Sequence, residues 1–213
     1  MSFELYKKRL LSYGNDEKDA VLNNTQHMIN KSFADSFGYS VVKIDDVDTE
    51  IVIVNKDDST QKELLLRPNQ TVKKGATVLI GTQYYLVTDF NGNGINQKAK
   101  IKLCNNTITL KGSTTEIIVG YNDFNEPITE TVSSGDIVLP CIVEIKILDD
   151  ETEQAINLPE GRINVTIPYT EHEDIAIDKE FVMYGEKYKI IGIDYTQSIN
   201  KEGLIIINGK KVS

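Results

Sequence analysis

In this 213-residue chain the arrangement closest to a ligand set is Asp89-Phe90-Asn91-Gly92-Asn93-Gly94. The order D-x-N-x-N-G aims side-chain oxygens at one calcium ion from positions one, three and five, with glycine at six for the bend. The pattern then breaks. Position twelve is Lys100, a cation where a bidentate glutamate belongs. Asn-Gly is also the strongest short hairpin signal, so a turn between strands is expected here. A second candidate is His172 within Glu171-His172-Glu173-Asp174. A histidine among carboxylates suits a metal site or a general base. The only other histidine, His27, falls in a helical stretch far away in sequence, and a solvated acidic loop is expected instead.

Nucleophilic chemistry finds no footing. There is no G-x-S-x-G, no cysteine-protease signature, no phosphate-binding G-x-x-x-x-G-K-[ST] and no dinucleotide fingerprint. Cys104 and Cys141 stand apart and read as reduced, buried thiols. Carboxylate pairs are abundant, as a glycosidase needs, but tryptophan, the usual sugar platform, is absent. No catalytic residue, metal site or cofactor is expected, and the chain is not expected to be an enzyme. Lys98, Lys100 and Lys102 form a row that could track phosphates. The net charge of −9 favours a solvated strand face guarded by lysine.

The elements that would hold these residues are strands. Ile 27, Val 16 and Thr 17 far outnumber Ala 6, and β-branched side chains suit a pleated surface. Acidity runs against nucleic-acid affinity, which rests on cations that release counterions. No aliphatic run exceeds the four residues of Leu204 to Ile207, far too few to span a bilayer, and the first residues show no signal-peptide core. No membrane association is expected.

Residues 1–38 differ from the rest. Phe3, Tyr6 and Leu10 recur at helical spacing, and Gly14 interrupts. Asn15 is placed to cap a second helix whose stripe is Leu22, Ile29, Phe33 and Phe37, with Gly38 as the stop. One such stripe cannot fold alone. It must pack on the β part or on a neighbouring chain, so those four residues are candidate arm contacts.

From Tyr39 the period becomes two. Short runs hold Val52, Val54, Leu64 and Leu66. Residues 74–90 predict strand, tight turn at Gly81, strand, and residues 98–104 alternate lysines with small or apolar residues. The run 180–195 resembles the run around Gly81, with Gly185 opposite Gly81 and Tyr188 opposite Tyr84, an offset of 104 residues. Residues 122–135 read as a loop or linker, and residues 149–153 as an acidic hairpin tip. The expected architecture is mainly β, with two tandem small β-barrel or sandwich domains at 39–112 and 113–213 behind an N-terminal helical arm, 1–38. The polar turns supply candidate inter-subunit or channel contacts: Asn91, Asn93 and Asn96 in one, Asp149, Asp150 and Glu151 in the other.

Four segments together resemble the small neck proteins of tailed bacteriophages that infect Gram-positive hosts. They are Tyr6 to Gly14 with Ser32-Phe33-Ala34-Asp35-Ser36-Phe37-Gly38-Tyr39; Leu64 to Gly75; Lys98-Ala99-Lys100-Ile101-Lys102-Leu103-Cys104-Asn105-Asn106-Thr107-Ile108; and Phe181 to Ile190. One departure is that many members carry Trp after the Cys-Asn stretch, where this chain has Leu110-Lys111. The resemblance implies a head-completion, stopper or head–tail connector protein. It would form a ring with copies of itself, between a portal or adaptor protein and a tail terminator or tube protein. Packaged DNA would pass close by without sequence-specific binding. The protein would be made in the host cytoplasm and reside in the virion. The alternatives are another tail component (terminator, tube or baseplate) and, from a different class, a cell-wall carbohydrate-binding module.

Overall fold

The computed structural model describes residues 6, 14, 16–112, 114–122, 124, 126–145 and 161–212. The chain is mainly β and divides into two units between Leu103 and Cys104. The sequence suggested a boundary at 112/113. It falls earlier because residues 106–110 pair with the second sheet.

In the first unit, α1 (Glu17–Ser32) is followed by a 3-10 turn (Phe33–Asp35). Its cap is Asp16, one residue beyond the expected Asn15. The Asp16 carboxylate accepts the Asp19 N–H at 2.8 Å, and Glu17 and Asp19 place negative charge in the first turn. Six strands follow: β1 (Tyr39–Ile44), β2 (Val47–Asn55), β3 (Gln61–Leu66), β4 (Thr77–Ile80), β5 (Gln83–Asn91) and β6 (Gln97–Leu103). They close into an antiparallel barrel in the order β1-β2-β3-β6-β5-β4. The alternation foreseen for residues 98–104 holds. Ala99 and Ile101 are buried with Ile51, Leu64 and Val78, while Lys98 and Lys100 face solvent.

The second unit contains β7 (Asn106–Leu110), β8 (Thr114–Tyr121), β9 (Pro127–Ser133), β10 (Ile137–Ile145), β11 (Arg162–Pro168), β12 (Glu180–Met183), β13 (Glu186–Asp194), β14 (Ser198–Ile199) and β15 (Glu202–Lys211). Its main sheet runs β12-β13-β15-β11-β10-β7, with β14 beside β15. Its core gathers Ile108, Leu110, Val165, Ile167, Ile190, Ile205 and Ile207. The order repeats that of the first barrel strand for strand, with β7, β10, β11, β12, β13 and β15 standing for β1 to β6.

The repeat extends to single hydrogen bonds. In the first unit Val87 N–H donates to Ala76 O and Gly75 N–H donates to Val87 O. In the second, Ile190 N–H donates to Lys179 O and Asp178 N–H donates to Ile190 O. Both strands bulge just beyond, between Val87 and Asp89 and between Ile190 and Gly192. The true offset in this hairpin, from Val87 to Ile190, is therefore 103 residues, one fewer than matching the glycines suggested. Gly81 is the first of its two turn residues, whereas Gly185 is the second, after Tyr184. The one-residue slip matters, because it would pair half-exposed Tyr84 with buried Tyr188. Tyr85, buried like Tyr188, is the real counterpart.

Two differences separate the copies. The two-residue turn Asp45-Asp46 between β1 and β2, both residues at positive φ, is replaced in the second unit by the whole β8–β9 hairpin. Residues 122–135 are thus not a linker: Pro127–Ser133 is the returning strand of that hairpin. The second difference is closure. β1 pairs with β4 through Lys43↔Leu79 and Ile44↔Val78, whereas β7 and β12 are not paired and the second barrel stays open along one seam.

Candidate functional site

The calcium-like segment is a turn with its charges satisfied by the strands. Asp89 and Lys100, positions one and twelve of the pattern, are register partners, and their side chains form an ion pair at 3.2 Å. Asn91 Oδ1 accepts the Asn93 N–H at 3.0 Å, so that oxygen serves the turn. Asn91, Asn93 and Asn96 are exposed at the tip between β5 and β6. The lysine row is likewise engaged: Lys98 reaches Glu63 at 3.2 Å, and Lys56 holds the same carboxylate at 2.7 Å. These partners push the Glu63 pKa down, Lys56 most strongly.

His172 sits in a loop but is mostly covered rather than solvated. Its Nδ1 accepts the Asp174 N–H at 3.1 Å. Asp174 Oδ2 in turn accepts the Lys111 N–H at 2.7 Å. Glu171 is held by Lys201 at 2.9 Å and by the Tyr169 hydroxyl, which donates to it at 3.0 Å. Among the described residues no group of three or more His, Cys, Asp or Glu side chains is placed to hold a metal. Cys104 and Cys141 are both free, and burial pushes each thiol pKa up to about 12.

The helical arm is latched to its own barrel. Arg67, between β3 and β4, donates Nε–H to Glu50 at 2.7 Å and Nη1–H to Asn30 O at 2.9 Å, and Nη2 pairs with the same carboxylate. The guanidinium lies 4.5 Å from the centre of the Phe33 ring, and Phe33 meets Tyr39 edge to face at 6.3 Å. Hydrogen bonding to Arg67 holds the Glu50 carboxyl below its ordinary range, and hydrogen bonding to Glu50 raises Tyr39. Of the expected stripe, Phe33 is buried, Ile29 half-buried, Leu22 exposed and Phe37 wholly exposed. The stripe fails at Phe37 because the helix has ended and Ser36 is extended. Sequence reasoning missed Arg67, whose only signal was a lone cation beside Pro68.

The other candidate surfaces lie in the second unit. The β8–β9 hairpin forms a sheet of its own. It exposes Ile117, Ile118, Val119, Tyr121, Phe124 and Ile128. Its tip is tied by Asn122, whose Oδ1 accepts the N–H groups of Phe124 and Glu126, each at 2.9 Å. At its root Gly112 N–H donates to Asp136 at 3.1 Å, and a Cβ on Gly112 would collide with the Gly135 carbonyl. The seam opens into a groove of about 690 Å³, floored by Ile108, Leu110, Ile190 and Ile207 and flanked by Phe181 and Val182. Neither surface was foreseen. Asp149, Asp150 and Glu151, the other expected contacts, lie outside the described residues. Among the described residues no helix is long and apolar enough to cross a membrane.

Residues 124–210 match the family model described as the YomX C-terminal domain. Over 207 residues the chain is 30% identical to the SPbeta prophage-derived uncharacterized protein YomX of Bacillus subtilis (strain 168), covering 93% of this chain and 96% of that protein. The solved ATP-binding sugar transporter-like protein from Salmonella typhimurium is similar over 39% of this chain and 92% of its own, at 13% identity and a TM-score of 0.32. That likeness is too slight to carry fold or function across.

Proposed function

This chain belongs to the family of the prophage-derived protein YomX, and from that footing we propose that it is a structural component of a phage particle. Its place is the neck: a ring of copies below the portal that closes the DNA-filled head and gives the tail a platform. The observation that carries the reading is the β8–β9 hairpin, which presents six large apolar residues to solvent and, among the described residues, pairs with no other strand. A two-stranded hairpin is marginal alone in water. Exposed apolar surface of this kind marks an assembly contact.

Other features agree with that role. Each unit is built on the same strand order, and the turn carrying Asn91, Asn93 and Asn96 offers polar contacts to neighbours. A net charge of −9 suits a surface close to packaged DNA, since like charges repel phosphates and let a duplex slide. The partners in this reading are other copies, a portal or adaptor above, and a tail terminator or tube protein below. The test is an image reconstruction of particles released on prophage induction, with this chain labelled. Density between portal and tail supports the neck. Density along the tube or at the baseplate assigns it to the tail instead.

A further inference from the structure

We propose that Asn93, at the exposed tip between β5 and β6, is a site of spontaneous covalent modification. Its side chain closes onto the Gly94 backbone nitrogen to give a cyclic imide, which water opens to aspartate or isoaspartate. The inference stands apart from the reading of the chain as a particle component and needs no partner.

Three Asn-Gly pairs stand in the chain: Asn91-Gly92, Asn93-Gly94 and Asn208-Gly209. Such a pair has the chemistry built in, because glycine carries no Cβ to shield its backbone nitrogen and lets the chain bend toward the side chain before it. The bond that forms joins the Gly94 nitrogen to the side-chain carbonyl carbon of Asn93. The bond that breaks releases the Asn93 amide nitrogen as ammonia, and the Gly94 N–H proton passes to solvent. Water then adds to either carbonyl of the imide and cleaves one of its C–N bonds, leaving a carboxylate. Nothing is oxidised or reduced. Ring closure needs the carbon and the nitrogen brought to near contact, so the local backbone decides which pair reacts.

The structure separates the three pairs. Asn208 and Gly209 lie inside β15, where Asn208 is in register with Asn164 and Gly192, and Gly209 with Ile163 and Ile190. Gly209 is buried, and strands on both sides hold that backbone extended. Asn91 is the last residue of β5, in register with Lys98. Its Oδ1 accepts the Asn93 N–H at 3.0 Å, so closing a ring at Asn91 breaks the hydrogen bond that forms the turn. The Phe90 ring also crowds Gly92, where a Cβ would stand 3.1 Å from it. Asn93 and Gly94 belong to neither strand, and both are exposed. Among the described residues, the Asn93 side chain and the Gly94 N–H have no hydrogen-bond partner. Asn93 therefore turns onto Gly94 without giving up a contact. Each event adds a carboxylate to a chain whose net charge is already −9.

The test incubates the folded full chain in mildly alkaline buffer at body temperature and follows each pair by peptide mass spectrometry, with enzymatic methylation to mark isoaspartate. Conversion at Asn93 is expected to lead and Asn91 to trail. Asn208 should keep its amide while the chain is folded and react once denaturant is added. Gly94→Ala supplies the control, since a Cβ there would meet only Asn96, at 3.5 Å, an ordinary contact. It should slow conversion at Asn93 at least about tenfold and leave Asn208 in denaturant unchanged. Asn93→Gln moves the amide one methylene farther from the nitrogen, and the first acidic species seen in isoelectric focusing should then be lost. The proposal is overturned if Asn93 in the folded chain reacts no faster than Asn208, or if Asn91 outruns it. It is equally overturned if Gly94→Ala, shown folded by circular dichroism, reacts at the original rate, or if the first acidic species persists in Asn93→Gln.

Discussion

Val87 and Ile190 do the same job in two barrels. Each gives its N–H and its carbonyl to the segment that leads into the preceding strand, and each sits just before a bulge. Both are buried, and each belongs to the core of its own unit. A bulge adds local twist, which a short strand needs if the sheet is to curl.

Truncating either residue should damage one unit. Ile190→Ala is expected to cost about 2–5 kcal/mol and Val87→Ala about 2 kcal/mol, from lost burial and the cavity left behind. Hydrogen exchange resolved by segment checks this. Ile190→Ala should raise exchange in residues 161–212, and Val87→Ala in residues 39–103. Equal loosening of both units by either variant would contradict separate cores.

Arg67→Ala should release α1 from the first barrel while the barrel persists, because one guanidinium joins Glu50, the Asn30 carbonyl and the Phe33 ring. Faster exchange confined to residues 17–36 is the expected signature. Arg67→Lys should rescue only part of it, since an ammonium cannot reproduce the planar fork.

Acid should open the same latch. The Glu50 pKa is lowered in the folded state, chiefly by Arg67. A carboxyl with a depressed folded pKa contributes stability above its unfolded value and loses it as pH falls through the folded one. Protection of α1 is therefore expected to be steady at neutral pH and to decline below the ordinary glutamate range. Glu50→Gln should flatten that decline, and an unchanged profile in Glu50→Gln would remove Glu50 as the cause.

The two thiols should be silent toward a thiol reagent at pH 8 in the native protein and react fully once unfolded, since burial raises both to about 12. Being raised, they favour the folded state below the unfolded thiol pKa. That contribution is lost as pH climbs from about 8.5 toward 12. Fast native labelling of Cys141 would contradict its burial.

Much of the fold was legible because strands announce themselves at short range. The alternation at Lys98–Leu103 and the Gly81 hairpin rest on neighbours a few residues apart. The repeat was legible too, but its offset was one residue long, because a glycine can serve at either central position of a turn. What stayed hidden depends on distant partners. Phe37 looked like a continuation of the Phe33 stripe until the helix ended before it. Nothing local to Lys111 says that its N–H is taken by Asp174, and nothing local to Pro127 says that a strand returns there to β8. The open seam is a property of six strands together, so no single segment signals it.

The central claim is that this chain is built into a particle. Quantitative mass spectrometry of density-purified virions, released by induction of a lysogen carrying the prophage, tests it most directly. The account predicts a fixed copy number per particle, a small multiple consistent with one ring, retained after nuclease and salt washes. Abundant chain in the lysate with none in the purified particles would contradict it.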